Sequence, residues 1–206
     1  MIEGSMAIHD LCSDYWAEKG REFSKEGWWA MAKEVRRLIK EGIKEGKGKN
    51  VIVSGPSRTG KTEIKEVLKD DPSFELICFD AEQVGGLKGF SWSNSLGYLE
   101  EELGVEEEEP SPEGILTAIK RKADEAKEKK KKILVLFFDE WQRVVGSQDP
   151  KRLEEFYLNL SQEIGGIDNA VGVHCFKEGE EGPIAFLKLY QDPNFTVIRS
   201  AERVLK

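Results

Sequence analysis

The chain has 206 residues, of which 39% are hydrophobic and 34% charged, and its formal net charge is −8. This length suits one α/β domain with a sizeable core, and the composition excludes a disordered chain. No apolar run approaches the roughly 20 residues that span a bilayer, and the first residues lack the basic and apolar regions of a signal peptide. The three cysteines lie far apart, which favours buried thiols in a reducing cytoplasm over a disulfide framework. We therefore expect a globular, cytoplasmic protein that does not enter a membrane.

The N-terminal part divides into two stretches. Residues 1–5, MIEGS, precede a second methionine, Met6, and are interpreted as a vector remnant. From about Ser24 to Glu45, apolar residues recur at i, i+3, i+4 and i+7, which predicts an amphipathic helix. We interpret residues 6–49 as a helical segment that packs on the core.

The next stretch combines a strand with a phosphate-binding loop. Three β-formers lead into GPSRTGKT, which fits the P-loop pattern G-x-x-x-x-G-K-[ST]. In such a loop, backbone N–H groups and the start of the following helix form a concave site for phosphate oxygens. Gly60 lets a phosphate approach closely, Lys61 reaches the β- and γ-phosphates, and the Thr62 hydroxyl binds Mg²⁺. The predicted nucleotide-binding residues are Gly55, Pro56, Ser57, Arg58, Thr59, Gly60, Lys61 and Thr62.

Between this loop and the next motif, the pattern predicts one strand and two helices. The strand covers residues 74–80, and residues 85–89 are glycine-rich and loop-like. The first helix covers residues 93–103 and ends at Gly104, a residue typical of helix C-termini. The second covers residues 111–132, with serine as its N-cap and proline in its first turn. Its lysine-rich end is interpreted as a solvated helix end rather than a nucleic-acid surface.

A second motif follows at once. Six consecutive apolar residues, 133–138, predict a strand buried on both faces, as in the middle of a parallel sheet. The strand ends at Asp139 and Glu140, on the edge where ligands of open α/β sheets bind. Asp139 is expected to hold Mg²⁺, which prefers carboxylates and waters. Glu140 points in another direction because successive strand residues alternate, and it is predicted to polarise the attacking water as a general base.

The rest of the chain continues the alternation of strands and helices. It predicts helices over residues 149–164 and 183–190, and strands over residues 169–176 and 195–199. Five strands that alternate with helices predict an α/β fold with three αβα layers and a five-stranded, mainly parallel sheet.

The two motifs together resemble those of the P-loop ATPases that have an additional strand between their Walker motifs. GPSRTGKT and FFDEWQ are most similar to the archaeal ATPase group, near the AAA+ and STAND classes, and the resemblance covers about residues 21–200. It implies that the ligands are ATP and Mg²⁺. It also implies that Lys61 and Thr62 bind phosphate and magnesium, that Asp139 holds the metal, and that Glu140 activates water.

The resemblance raises two further points. A polar residue near the end of strand four senses the γ-phosphate in the family, which points to His174 as a catalytic residue. A single histidine in an otherwise apolar strand also suits a core residue, so both interpretations stay open. The family usually has a helical lid after strand five, so residues 50–206 are predicted to form an ATPase core without a C-terminal helical lid. The candidates for an arginine finger in trans are Arg143, Arg152, Arg199 and Arg203.

The leading hypothesis is a Mg²⁺-dependent ATPase that couples hydrolysis to a conformational change, with a homo-oligomer as its predicted assembly. A second hypothesis is a nucleotide-gated interaction module that hydrolyses little ATP. The third is a small-molecule kinase, which ranks last because residues 81–110 are acidic and contain no arginine. Nucleic-acid binding stays open, but the net charge of −8 gives it no support.

Overall fold

The computed structural model describes residues 23–44, 50–55, 60–85, 91–105, 109–145, 150–177 and 195–199. The strands are β1 (Asn50–Gly55), β2 (Phe74–Asp80), β3 (Ile133–Asp139), β4 (Ala170–Lys177) and β5 (Phe195–Arg199). The helices are α1 (Phe23–Lys44), α2 (Ile64–Lys69), α3 (Ala81–Gly85), α4 (Trp92–Leu103), α5 (Pro112–Glu125), α6 (Gln142–Val145) and α7 (Pro150–Gly166). Helix α5 continues into one π-helical turn, Ala126–Lys130.

The five strands form one sheet in the order β2-β3-β4-β1-β5, and every pair is parallel. Strand β4 lies between β1, which leads to the P-loop sequence, and β3, which ends in the acidic pair. The predicted α/β fold with a five-stranded parallel sheet is confirmed.

Both faces of the sheet are covered, because successive side chains of a strand point to opposite faces. In β1, Val51 and Val53 pack in a buried cluster with α1 and α2, and Ile52 packs in a second cluster with α4, α5 and α7. These two clusters are the two cores of a three-layer αβα arrangement. None of the helices in the described ranges combines the length and apolar character that crossing a bilayer requires.

The boundaries differ from the predicted ones in three places. The described residues contain two short helices, α3 and α6, that were not predicted, and each begins within three residues of the end of a strand. The α-helical geometry of α5 ends at Glu125 instead of continuing to residue 132, and Lys131 has a left-handed backbone, with φ at 56°. Gly104 ends α4 in the left-handed conformation, as predicted. The helix predicted over residues 183–190, and residues 1–22, lie outside the described residues.

A polar cluster is buried under β1 and β4 beside α7. The Asn50 side chain donates to the Ser161 carbonyl at 2.6 Å and accepts from the Gly172 N–H at 2.8 Å. A Cβ at Gly172 would lie 2.5 Å from Asn50 Oδ1 and 2.6 Å from His174 Nε2. Glycine at position 172 is therefore required by close packing, because a Cβ would displace buried polar side chains.

Helix α1 is fixed to the core by Asp71, which lies in the turn between α2 and β2. Asp71 is 4% exposed and pairs with Arg36 and Lys40 of α1. Burial alone raises the pKa of Asp71, but hydrogen bonds from Ser73 and Lys40 outweigh it and hold the pKa well below its usual range. The Asp71 carboxylate of the folded protein is therefore charged near neutral pH.

Replacement of Asp71 with Asn is expected to lower the free energy of unfolding by about 1–3 kcal/mol at pH 7, because it removes charge-assisted hydrogen bonds from a buried group. The folded-state pKa lies below the unfolded value of about 3.9. The stabilisation is therefore complete above that value and is lost as the pH falls below it. Urea unfolding of both proteins at pH 7 and pH 3 measures this difference, which should shrink at pH 3. An equal difference at both values would contradict the assigned role of the carboxylate.

Candidate nucleotide-binding site

The two described ends of the P-loop sequence lie close together. Strand β1 ends at Gly55, and the chain resumes at Gly60, whose φ of 83° is a left-handed conformation that favours glycine. The Lys61 side chain is buried, and its Nζ donates to the Gly55 carbonyl at 2.9 Å. Four predicted nucleotide-binding residues lie outside the described residues: Pro56, Ser57, Arg58 and Thr59.

Thr62 and Asp139 meet across the sheet edge. The Thr62 hydroxyl donates a hydrogen bond to the Asp139 carboxylate, which is 6% exposed. Asp139 Oδ1 is buried and has no hydrogen-bond partner among the described residues. Burial raises the pKa of Asp139 to about 6, and the Thr62 hydrogen bond opposes this shift. A carboxylate oxygen without a partner beside a hydroxyl oxygen is a donor set that suits a hard cation such as Mg²⁺.

Glu140 adopts a backbone conformation that is uncommon for a residue with a side chain. Its φ is 53°, its N–H donates to the Cys175 carbonyl of β4 at 3.0 Å, and its own carbonyl accepts from the Arg143 N–H at 2.9 Å. This left-handed turn ends β3 and begins α6. The chain changes direction between Asp139 and Glu140, so the two carboxylates differ in environment: Asp139 is buried and Glu140 is partly exposed.

Trp141 fixes this turn, a role that the sequence did not reveal. It is 1% exposed, and its indole N–H donates to the Phe79 carbonyl of β2 at 3.0 Å. Its ring stacks on Tyr157 of α7 with centroids 5.7 Å apart and meets Phe138 edge to face at 5.7 Å. The available signal was the large aromatic residue that directly follows two carboxylates.

His174 lies in the core. It pairs in register with Ile52 and Phe138, and it is fully buried, with its ring stacked on Phe138 at 4.9 Å. Its Nδ1 is 2.5 Å from the Tyr157 hydroxyl, and burial lowers its pKa to about 3, so the imidazole is neutral. It precedes the end of β4 at Lys177 by three residues, or roughly 10 Å. This position favours the core interpretation over the sensor interpretation.

The residue at the end of β4 is Lys177, which pairs in register with Gly55. The sequence prediction ended this strand at residue 176 and placed the lysine in the following loop, so it singled out His174 as the polar residue of the strand. Lys177 is therefore the β4 residue that the structure places level with the start of the P-loop sequence.

Two of the predicted arginine-finger candidates make contacts within the chain. Arg143 forms ion pairs with Glu140 and Glu82, and the Arg152 guanidinium lies over the Trp92 ring at 3.9 Å from its centroid. Arg203 lies outside the described residues.

Solved structures share this arrangement of strands and helices. The Aeropyrum pernix Orc1 protein, solved in complex with DNA, has a TM-score of 0.53 and 14% identity over 82% of this chain and 44% of its own. The chain shares the α/β fold of that protein. A structure of Drosophila ORC bound to AT-rich DNA and Cdc6 shares the fold with a TM-score of 0.53 and 12% identity over 95% of this chain and 63% of that one. This chain thus spans less than two thirds of the length of either of those chains.

No model of a known protein family matches the sequence, and no curated protein does. The likeness to these solved structures therefore concerns the fold. The position of β4 between β1 and β3 agrees with the additional strand that the sequence resemblance implies.

Proposed function

We propose that this chain binds ATP with Mg²⁺ and hydrolyses it, and that hydrolysis drives a conformational change. The observation that carries the proposal is the hydrogen bond between Thr62 and Asp139. Beside it, the buried Asp139 Oδ1 has no hydrogen-bond partner among the described residues. Two sequence motifs, 77 residues apart at these positions, supply oxygen donors to one point of the sheet edge. If GPSRTGKT were a glycine-rich turn that matches the pattern by chance, no contact between Thr62 and Asp139 would be expected.

Lys61 supplies the positive charge for the phosphates. Its ammonium group now donates to the Gly55 carbonyl, at the start of the loop sequence. Its side chain therefore places an ammonium group, which carries three donors, at the start of the loop proposed to hold the phosphates. Thr62 and Asp139 are the residues that hold Mg²⁺, with waters as its other ligands. When bound, Mg²⁺ neutralises charge on the β- and γ-phosphate oxygens.

Glu140 is the proposed general base. It directly follows Asp139, is partly exposed and can therefore reach water. Its carboxylate orients the attacking water and accepts the proton as the water attacks the γ-phosphate. The turn that Trp141 and the Cys175 carbonyl fix sets the direction from which Glu140 acts.

The first test is ATP turnover as a function of Mg²⁺, with ATP binding followed separately. We expect phosphate release that rises with Mg²⁺, saturates, and stops when EDTA removes the metal. Turnover that is insensitive to EDTA would contradict the metal assignment. Binding without turnover at any Mg²⁺ concentration would contradict the hydrolase assignment and support the second hypothesis, a nucleotide-gated interaction module.

One observation favours that second hypothesis. The Glu140 carboxylate already contacts Arg143, with its Oε2 3.2 Å from Nη1. A general base held in an ion pair is not free to act on water, which suits a protein that binds ATP and hydrolyses it slowly. The kinase hypothesis gains no support from the described residues.

The partners of this ATPase remain proposals. Both similar structures were solved with DNA, but the lysine-rich π-helical turn after α5 offers little free charge for a DNA backbone. Three of its lysines form ion pairs: Lys127 with Asp168, Lys129 with Glu125 and Lys130 with Glu75. A homo-oligomer stays a prediction.

A further inference from the structure

A groove lies between helices α5 and α7, on the side of the sheet away from α1 and α2. Its volume is about 460 Å³, within the range of roughly 300–1,000 Å³ that small-molecule sites have. Four apolar side chains form part of its lining: Trp92, Leu116, Phe156 and Leu160. Phe156 and Leu160 belong to the buried core, whereas Trp92 and Leu116 pack against that core and stay partly exposed. Among the described residues that line this α5–α7 groove, none belongs to the predicted nucleotide or metal site.

Three glutamates make the groove acidic. Glu113 lies in the first turn of α5, and Glu155 and Glu163 lie on α7. All three are exposed, and none forms an ion pair with another described residue. Arg152 is the one cation among the described lining residues, so three carboxylates and one guanidinium give these residues a net charge of −2. The Arg152 guanidinium lies over the Trp92 ring, 3.9 Å from its centroid. The charges of the groove therefore favour a cationic ligand.

The positions of the glutamates indicate which kind of cation fits. Glu155 and Glu163 are eight residues apart on one helix, which corresponds to roughly 12 Å along its axis. No group of three His, Cys, Asp or Glu side chains in the described part of the chain is placed to hold a metal ion. Leu160 lies between the two glutamates along α7 and also lines the groove, so the surface between the charges is apolar. A ligand that matches this pattern carries separated positive charges joined by an apolar chain.

We propose that the α5–α7 groove binds a linear aliphatic polyamine, with spermidine as the representative of this class. Its terminal ammonium groups, each with three hydrogen-bond donors, contact Glu155 and Glu163. Glu113, on the other wall of the groove, attracts the third ammonium group. The methylene groups lie on Leu116 and Leu160, which removes apolar surface from water. This inference is independent of the proposed ATPase function, since ATP takes no part in it.

The first measurement is the binding of spermidine to the full chain by titration calorimetry. It is made in about 150 mM NaCl, where the Debye length is about 8 Å, so that diffuse attraction to an acidic protein is largely screened. We expect a single site with a sub-millimolar Kd, weaker binding of the shorter diamine putrescine, and no displacement of spermidine by an equal concentration of Mg²⁺. Absence of binding at millimolar spermidine, or displacement by Mg²⁺, would overturn the inference.

Leu116→Lys and Thr117→Lys form a matched pair of variants. Each adds one positive charge to α5, but Leu116 lines the groove, whereas the adjacent Thr117 is exposed and is not among the described lining residues. We expect Leu116→Lys to weaken spermidine binding about tenfold or more, because the added ammonium group repels the ligand and competes for the glutamates. Thr117→Lys should change the Kd by less than about twofold. Equal losses in the two variants would show a general effect of charge and contradict the proposed site.

A second pair of variants leaves the apolar lining unchanged. Glu155→Gln combined with Glu163→Gln removes two exposed carboxylates from the groove. Glu66→Gln combined with Asp70→Asn removes two exposed carboxylates from α2 and its C-cap, on the other side of the sheet. The groove variant should bind spermidine about tenfold more weakly, since each exposed ion pair contributes a few-fold in affinity, and the α2 variant should bind like wild type. If the groove variant keeps wild-type affinity, the inference is wrong, even where Leu116→Lys fails to fold.

Arg152 gives a test with the opposite sign. Arg152→Gln removes the one cation from the described lining and uncovers the face of the Trp92 ring, which can then attract an ammonium group. We expect spermidine to bind about threefold more tightly to this variant. Arg121→Gln is the control, because Arg121 is an exposed arginine of α5 outside the described lining, and its Kd should equal that of wild type. An Arg152 variant that binds spermidine no better than wild type would contradict the placement of the ligand beside Trp92 and the glutamates.

Discussion

Replacement of Glu140 with Gln is expected to leave ATP binding intact and to lower turnover by about 10²–10⁴-fold, the usual contribution of a general base. Gln has the same length and the same Cβ, so the left-handed backbone and the bond from the residue 140 N–H to the Cys175 carbonyl can persist. An amide cannot accept the proton that the carboxylate takes. The measurement is phosphate release at saturating ATP, with the Kd for ATP measured in parallel.

Glu66→Gln is the control for this experiment. Glu66 is an exposed glutamate of α2, the helix that follows the P-loop sequence, and its replacement removes the same charge. It should turn over like wild type. Wild-type turnover by Glu140→Gln would show that another group activates water, and the general-base role of Glu140 would then have to be withdrawn.

The main architecture could be predicted because long apolar runs determine it. Residues 133–138 are apolar without a break, and the structure buries residues 134–138 in the second strand of the sheet. The sequence also predicted a helix N-cap and a helix C-terminus. Ser111 accepts a hydrogen bond from the Gly114 N–H at 3.0 Å, and Gly104 ends α4 in the left-handed conformation. These signals are local, so one sequence contains all the information that they need.

The short helices α3 and α6 could not be predicted in the same way. They have five and four residues, which is too short for a 3.6-residue period to show. They nevertheless carry Glu82 and Arg143, the two partners of the network around Glu140. That network depends on β2 and β3 being neighbours in the sheet, and strand order is not visible in a local pattern.

Depth along a strand is a second property that the sequence does not show. His174 and Lys177 are both polar residues of β4, and both are compatible with the sensor role by type. Only the register distinguishes them, since it pairs His174 with Ile52 and Lys177 with Gly55. The contact of His174 with Tyr157 of α7 is likewise a tertiary contact.

Replacement of Lys61 with Ala is expected to weaken ATP binding about 100-fold or more, and to abolish turnover at ATP concentrations that saturate the wild type. Loss of one or two charge-assisted hydrogen bonds to phosphate corresponds to an effect of this size. Lys61 is buried at the start of the proposed phosphate site and has no neighbour of the same charge within three residues after it. Direct binding of ATP, with and without Mg²⁺, measures the effect.

Lys69→Ala is the matched control, because Lys69 lies at the C-terminal end of α2, is exposed and carries the same charge. It should bind ATP within about twofold of wild type, since long-range attraction alone is screened by salt. If the Lys61 variant binds ATP like wild type, the assignment of the phosphate site to this loop is wrong, whatever the turnover of the protein. Together with Glu140→Gln, the result separates the two halves of the site: loss of Lys61 acts on binding, whereas loss of the Glu140 carboxylate acts on the step after binding.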